Sequence, residues 1–158
     1  MDKDYILLMI ESLEKKEGIL TKLLELTDEQ KTIVSAGETD WDAFNANVDR
    51  KGELIDEIVK LDEGFDSLFG RVKETLEGDK SAFASEIKRM QELIRSVTEK
   101  STALSTEENR NKNLIENKFR EEKNTIKQSK IGSKAAMDYY KRMNRINTVD
   151  PQLMDRKS

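Results

Sequence analysis

The fold is decided by residues 41–76, which read WDAFNANVDRKGELIDEIVKLDEGFDSLFGRVKETL. Counting from Trp41 by alternate steps of three and four residues gives Trp41, Phe44, Val48, Lys51, Ile55, Ile58, Asp62, Phe65, Phe69, Val72 and Leu76. Nine of these eleven residues are apolar, and residues at this spacing lie on one face of an α-helix. The segment therefore predicts a long amphipathic helix whose apolar face must pack against other helices.

The residues on either side of this segment repeat the same pattern. Apolar residues recur at three- and four-residue steps from Ile6 to Val34 and again from Phe83 to Leu104. The only proline is Pro151, and such a long proline-free stretch is typical of long helices. We therefore expect three helices, over residues 4–35, 40–77 and 80–128.

The connections between these helices are short. Gly37 follows the first helix, where a left-handed C-terminal cap is expected, and Gly78 follows the second helix. Thr39 is the expected N-cap of the second helix, with Asp42 three residues further on as in a capping box. Because short turns force consecutive helices to run antiparallel, the predicted fold class is all-α, an elongated antiparallel three-helix bundle or coiled coil.

The third helix is predicted to be longer than its two neighbours. At 1.5 Å per residue it spans roughly 70 Å, against roughly 48 Å and 57 Å for the first and second helices. Its apolar series fades at Glu108 and Asn111. The series then resumes out of phase at Ile115, Phe119 and Ile126. We therefore expect an overhanging third helix, which leaves the bundle near Asn113 and offers its later apolar residues to a partner.

The composition offers few groups for catalysis. The chain has no Cys and no His, which removes thiolate nucleophiles, structural zinc sites and the usual general base near neutral pH. The acidic pairs at 107–108 and 121–122 fall on a lysine-rich helix, so we interpret them as a solvated face. No glycine-rich phosphate loop or metal-ligand spacing is present. We expect that the protein is not an enzyme and needs no cofactor.

The start of the chain and its hydropathy predict a cytoplasmic protein. Residues 1–16, MDKDYILLMIESLEKK, contain an apolar patch flanked by acids but no basic segment or cleavage site of a signal peptide. No stretch reaches the roughly 18 apolar residues of a membrane span, so no direct membrane insertion is expected. The net charge of −4 argues against nucleic acid as a partner.

Residues 129–158 differ in charge from the rest of the chain. They hold seven Lys or Arg and three Asp, a net charge of +4, which leaves −8 for residues 1–128. Four apolar or aromatic residues spaced by three fit one face of a short helix: Met137, Tyr140, Met143 and Ile146. We divide the chain into a helical bundle over 1–128 and a basic C-terminal tail, flexible or short-helical. For this tail we favour contact with a protein over no binding role, acidic lipid or nucleic acid.

Two further features each admit two interpretations. Four asparagines lie close together on the third helix: Asn109, Asn111, Asn113 and Asn117. They form either an exposed helix surface or a polar contact strip for a partner. Trp41, the single tryptophan, either closes the end of the bundle by packing or serves as a platform for a ligand. The packing role is the more common for a tryptophan at the start of a helix.

Four features in chain order carry a resemblance to a known family. They are the turn Gly37-Glu38-Thr39-Asp40-Trp41, the run DRKGELIDEI at 49–58, the asparagine-rich second half of the third helix, and a tyrosine in the tail. This layout resembles the FlgN-type flagellar export chaperones, and the resemblance covers most of the chain. The related FliT and FliS chaperones are also small helical bundles, so a FliT-like role stays open.

The resemblance implies a function and partners. Such chaperones bind C-terminal helical segments of hook-filament junction (hook-associated) proteins in the cytoplasm, keep them from associating early, and deliver them to the flagellar type III export gate. A tyrosine in the C-terminal region of the family is associated with docking to the export-gate membrane protein. Tyr139 or Tyr140 is the nearest match in this chain.

The overhang and the resemblance together predict a cargo-binding face on the third helix. Its residues are Asn111, Leu114, Ile115, Lys118, Phe119, Glu122 and Ile126. The same face is also suited to pairing with a second copy of the chain, since an apolar stripe on a long helix is what a coiled coil needs. A self-associating coiled-coil scaffold, present as a homodimer, is therefore the alternative to the chaperone.

Overall fold

The computed structural model describes residues 2–78 and 80–122, and these form an all-α bundle. The long helices are α1 (Asp2–Ser35), α2 (Trp41–Gly78) and α3 (Ala84–Glu121), and a single 3-10 turn (Lys80–Phe83) precedes α3. No described residue belongs to a strand, so the three-helix prediction is confirmed. Residues 123–128 of the predicted third helix and the predicted tail over 129–158 lie outside the described residues.

Contacts between the helices define an up-down-up arrangement. Side chains or carbonyls join α1 to α2 at Asp2–Thr75, Tyr5–Arg71, Lys16–Asp62 and Leu26–Asn47. They join α1 to α3 at Glu14–Arg89, Thr27–Glu108 and Gln30–Asn111. Residue numbers fall along α2 as they rise along α1, so these helices are antiparallel, whereas α1 and α3 are parallel. The backbone of α1 lies close to both other helices, and long side chains bridge α2 and α3.

The core consists of two apolar clusters, one in each half of the bundle. The upper core, near the α1–α2 loop, contains Leu20, Leu23, Val34, Trp41, Phe44, Val48, Ile55, Ile58, Val97, Leu104 and Ile115. The lower core, near the α2–α3 turn, contains Ile6, Met9, Leu13, Phe65, Phe69, Val72, Leu76, Met90, Leu93 and Ile94. Burial of these side chains is the main force that holds the helices together. No described helix is long and apolar enough to cross a membrane.

The third helix does not leave the bundle near Asn113, so that prediction is wrong over the residues the structure describes. Ile115 is only 2% exposed and belongs to the upper core, and Phe119 packs against the same cluster. α2 and α3 each contain 38 residues. Because the turn between them is tight, residues at equal distances from it lie side by side, which places Phe119 against Trp41. Ile126 lies outside the described residues.

Two polar residues of the third helix, at the point where the apolar series was predicted to fade, are inside the bundle. Glu108 and Asn111 are both buried, and Leu104, Glu108, Asn111 and Ile115 follow one another by steps of four, three and four residues. The helical series therefore continues in phase through these positions, contrary to the prediction that it fades. The prediction equated polarity with exposure, whereas these side chains are buried and form hydrogen bonds to polar groups on the other two helices.

The N-cap of α2 is Asp40 and not Thr39, so the predicted cap was one residue early. Asp40 Oδ1 accepts a hydrogen bond of 3.1 Å from the backbone N–H of Ala43, and the Asp40 carbonyl accepts one of 3.0 Å from the N–H of Phe44. This is the geometry of an N-cap residue followed by the first turn of a helix. Thr39 is buried at the end of the bundle instead, with 4% of its surface exposed.

Candidate binding site at the end of the bundle

Three aromatic rings close the end of the bundle where α2 begins and α3 ends. Trp41 and Phe44 are buried, and Phe119 is half-buried. The ring centroids of Trp41 and Phe119 are 5.2 Å apart, and Phe44 meets both rings edge-on, at 5.2 Å from Trp41 and 6.2 Å from Phe119. Such edge-to-face contacts stabilise beyond the area they bury. We call these residues the aromatic end cluster, and its geometry matches the packing interpretation of Trp41.

Polar contacts fasten the end of α3 to the loop between α1 and α2. The Lys118 ammonium donates a hydrogen bond of 2.9 Å to the carbonyl oxygen of Ala36. The backbone N–H of Thr39 donates one of 3.2 Å to Glu122 Oε1. These contacts satisfy a carbonyl at the end of α1 and a donor in the loop, groups that would otherwise lack partners. The last turn of α3 is therefore a structural part of the bundle.

Three buried polar atoms at this end have no hydrogen-bond partner among the residues that the structure describes. They are Thr39 Oγ1, Trp41 Nε1 and Glu122 Oε2. A buried donor or acceptor without a partner costs about 1–3 kcal/mol, so these atoms lower the stability of this end of the bundle. The surface that a partner can reach there is the exposed part of the half-buried side chains of α3 and Glu122.

The predicted cargo-binding residues fall into three groups. Asn111 and Ile115 are in the interior and offer no surface to a partner. Four half-buried residues come together at the end of the bundle: Leu114, Lys118, Phe119 and Glu122. Ile126 and the predicted docking residues Tyr139 and Tyr140 lie outside the described residues. Of the four asparagines, only Asn111 is buried, and the other three are exposed on α3.

A buried polar layer crosses the upper half of the bundle. It is formed by Thr27 and Gln30 of α1, Asn47 and Lys51 of α2, and Glu108 and Asn111 of α3, all of them buried. The Lys51 ammonium is paired with Glu108, whose Oε1 also accepts a 2.8 Å hydrogen bond from the Thr27 hydroxyl. Through these contacts the layer joins all three helices.

The amide side chains complete this polar layer. Asn111 Nδ2 donates hydrogen bonds to the Thr27 carbonyl at 2.8 Å and to Gln30 Oε1 at 3.1 Å. Asn47 Nδ2 donates one of 2.8 Å to the Leu26 carbonyl. Because each donor needs its acceptor at one height along the bundle, the layer specifies the register of the helices.

Burial changes the acid–base behaviour of Lys51. Its desolvation lowers the pKa of the ammonium to about 8 from the ordinary 10.5, and the charge and hydrogen bond of Glu108 offset part of this effect. The pair is enclosed by the core, so it acts on the packing of helices and not on a dissolved substrate. Among the described residues, no group of acidic side chains is placed to hold a metal ion.

The burial of charged residues between the helices, where they form ion pairs, was not predicted from the sequence. Lys16 is a second example, because its ammonium donates to Asp62 Oδ1 at 2.7 Å while lying buried between α1 and α2. The available signal was their position, since Lys16, Lys51, Asp62 and Glu108 all stand within the three- and four-residue series of their helices.

The described residues define a class of protein: an all-α bundle with internal polar contacts, no metal cluster, and half-buried apolar and charged side chains at one end. The comparison with family models is specific. The model of the FlgN family, described as "FlgN protein", matches residues 7–142, which is well over half of the chain. The chain therefore belongs to the FlgN family of flagellar export chaperones. No curated protein and no solved structure gives a significant match.

Proposed function

We propose that the protein is a cytoplasmic chaperone of flagellar type III export. It binds C-terminal helical segments of hook-associated proteins, prevents their premature association and delivers them to the export gate. The observation that carries this proposal is the FlgN family match over residues 7–142. The all-α bundle is compatible with it, because a helical cargo segment can add to a helical bundle by side-chain packing.

The cargo contacts are proposed to lie at the end of the bundle. Leu114 and Phe119 are half-buried there and expose the rest of their apolar surface, while Lys118 and Glu122 supply charges of both signs. Ile126, which lies outside the described residues, is proposed as a further cargo contact. Burying a few partly exposed apolar side chains contributes about 2–4 kcal/mol at most before ordering costs, which suits a complex that must release its cargo.

Calorimetric titration of the full chain with the C-terminal helical segment of a hook-associated protein tests both parts of this proposal. Leu114→Glu places a charge on the proposed contact surface, and we expect at least a tenfold loss of affinity. The matched control is Leu7→Glu, because Leu7 is 47% exposed near the other end of α1. Thermal unfolding followed by circular dichroism shows whether both variants keep the fold.

The results of the titration distinguish failure of the proposed function from failure of the proposed binding site. If the unaltered chain binds no hook-associated segment, the proposed function fails. If it binds but Leu114→Glu and a chain ending at residue 122 bind equally well, the function stands and the site is elsewhere.

Docking to the export gate is proposed to use Tyr139 or Tyr140. The double variant Tyr139→Ala/Tyr140→Ala should lose binding to the purified cytoplasmic domain of the export-gate membrane protein while still binding cargo. Loss of both activities would instead place the tyrosines in the cargo site. Unchanged docking would remove them from the proposal.

The self-associating scaffold, present as a homodimer, stays the alternative. Ile115 is buried and Phe119 is half-buried against Trp41 and Phe44, so the described part of α3 offers a second copy less apolar surface than the sequence predicted. Light scattering of the full chain tests this alternative directly. A stable dimer with its interface on α3 would favour it over the chaperone.

A further inference from the structure

The seam between α1 and α2 carries a second apolar series outside the core. The half-buried residues in this series follow seven-residue spacings, with Ile19 and Ile33 on α1 and Leu54, Leu61 and Leu68 on α2. A seven-residue step keeps side chains on one side of a helix. These residues therefore form a continuous apolar border along the seam, beside the core positions that already hold the bundle together.

The seam opens into a groove at Ile19 and Leu61. The groove has a volume of about 550 Å³ and is lined by Lys15, Gly18, Ile19, Lys22, Glu57, Lys60 and Leu61. All of these residues belong to α1 and α2, so the groove is separate from the end of the bundle. The groove is open at Gly18, since a Cβ atom built at that position meets nothing within 4 Å.

The charge around the groove differs from that of the bundle. Its lining holds three Lys and one Glu, a net charge of +2, whereas residues 1–128 together carry −8. Lys22 and Lys60 are exposed on opposite sides of the seam. Lys15 Nζ lies 3.3 Å from Glu11 Oε1 in an exposed ion pair within α1. Such a pair contributes little to stability, so Lys15 can bind another carboxylate instead. An apolar floor between lysines matches an apolar stripe between carboxylates.

We propose that the α1–α2 groove docks an amphipathic helix of a partner protein whose apolar face is flanked by Asp or Glu. Ile19 and Leu61 contact the apolar face, and Lys15, Lys22 and Lys60 contact the flanking carboxylates. The docked helix lies along the seam, because that is the direction in which the half-buried residues repeat. The proposal goes beyond the chaperone function, since it concerns a second surface and holds for any partner with this chemistry.

The test uses the full chain and two synthetic helical peptides that differ only in charge. Both have about three heptads with Leu at the a and d positions, and the e and g positions are Glu in one peptide and Lys in the other. Fluorescence anisotropy is expected to show binding of the Glu peptide, at least tenfold tighter than the Lys peptide. The preference should weaken with added salt.

Gly18→Phe places a ring at the groove, at a position where an added Cβ meets nothing within 4 Å, and should lower the affinity for the Glu peptide at least tenfold. Gly70→Phe is the matched control, because Gly70 is an exposed helical glycine with equally open space and lies outside the groove. Lys22→Glu/Lys60→Glu should reverse the preference between the peptides, whereas Lys31→Glu, at an exposed site elsewhere on α1, should leave it unchanged.

Three results would overturn the proposal: equal binding of the two peptides, binding unaffected by Gly18→Phe in a folded variant, or a chain that is dimeric in light scattering and becomes monomeric with Gly18→Phe. In the last case the groove holds a second copy of the chain. The cargo titration with Leu114→Glu is a separate assay, so failure of either proposal is distinguishable from failure of the other.

Discussion

Lys51 and Glu108 form an ion pair inside the bundle, where Lys51 is fully buried and Glu108 is 4% exposed. The pair links α2 to α3, whose backbones do not otherwise approach closely. Both charges have lost their hydration, so their mutual attraction and the surrounding hydrogen bonds must offset a desolvation cost of several kcal/mol for each ion. Removing one charge of the pair and replacing both charges by apolar residues should therefore change the free energy of unfolding by different amounts.

Glu108→Leu should lower the free energy of unfolding by about 3–5 kcal/mol, because it leaves the buried Lys51 without its carboxylate. The double variant Lys51→Met/Glu108→Leu should return to within about 1 kcal/mol of the unaltered chain, since neither charge then needs to be desolvated. Urea unfolding of the two single variants and the double variant measures the coupling. Additive losses in the double variant would contradict a coupled pair.

The stability of the protein should depend on pH through Lys51. Burial lowers the pKa of this ammonium to about 8 from 10.5, so the folded state gives up the proton before the unfolded state does. Between about pH 8 and 10.5 the unfolded state binds more protons, and the contribution of Lys51 to the free energy of unfolding rises with pH by about 3 kcal/mol in all. Below about pH 8 both states are protonated and this contribution is constant.

The measurement is the difference in free energy of unfolding between the unaltered chain and Lys51→Met, taken at several pH values from 7 to 10.5. Taking the difference removes the titration of the other lysines and the tyrosines. The control is Lys31→Met, whose difference should be flat because Lys31 is exposed. A flat or falling difference for Lys51→Met above pH 8 would show that Lys51 is not a depressed ammonium.

The positions of the charged residues in the sequence are enough to predict the pairs Lys16–Asp62 and Lys51–Glu108. Lys16 lies 23 residues before Thr39 and Asp62 lies 23 residues after it. Lys51 lies 28 residues before Asp79 and Glu108 lies 29 residues after it. In antiparallel helices joined by short turns, residues at equal distances from the turn are neighbours. The charged residues in the apolar series of neighbouring helices therefore face each other, and each pair combines a lysine with an acidic residue. Such pairing favours burial of both side chains.

The number of helices and their approximate ends followed from the sequence because long apolar periodicity is a strong local signal. The end of the bundle did not follow from it. Whether Phe119 is free or packed depends on how α3 is aligned with Trp41, and that alignment is fixed by contacts between residues far apart in the chain. The α1–α2 groove was also missed, because it depends on how residues far apart in the chain, such as Ile19 and Leu61, are placed across two helices.

The N-cap of α2 is tested by comparing neighbouring residues. Asp40→Ala removes the acceptor for the Ala43 N–H, so it should lower the free energy of unfolding by about 1 kcal/mol. Thr39→Val keeps the shape of a buried side chain and removes a hydroxyl that has no described partner, so it should be neutral or stabilising. Thermal and urea unfolding measure both. The reverse order of effects would make Thr39 the cap.

The packing of Phe119 against Trp41 can be tested with the tryptophan as its own reporter. Phe119→Ala removes a half-buried ring, so it should lower the free energy of unfolding by about 2 kcal/mol, less than the 3–5 kcal/mol of a fully buried phenylalanine. Trp41 is the only tryptophan, so the change in its surroundings should shift the fluorescence emission of the folded protein. An overhanging α3 would give neither effect.

Phe83→Ala is the matched control for this experiment, because Phe83 is also half-buried but packs against the lower core. It should cost a similar free energy of unfolding while leaving the emission of Trp41 unchanged. If Phe119→Ala is neutral in urea unfolding and the emission stays the same, α3 separates from the α1–α2 loop in solution. The apolar face of residues 115–119 would then be free for a partner, and the cargo site would return to the position that the overhang predicted.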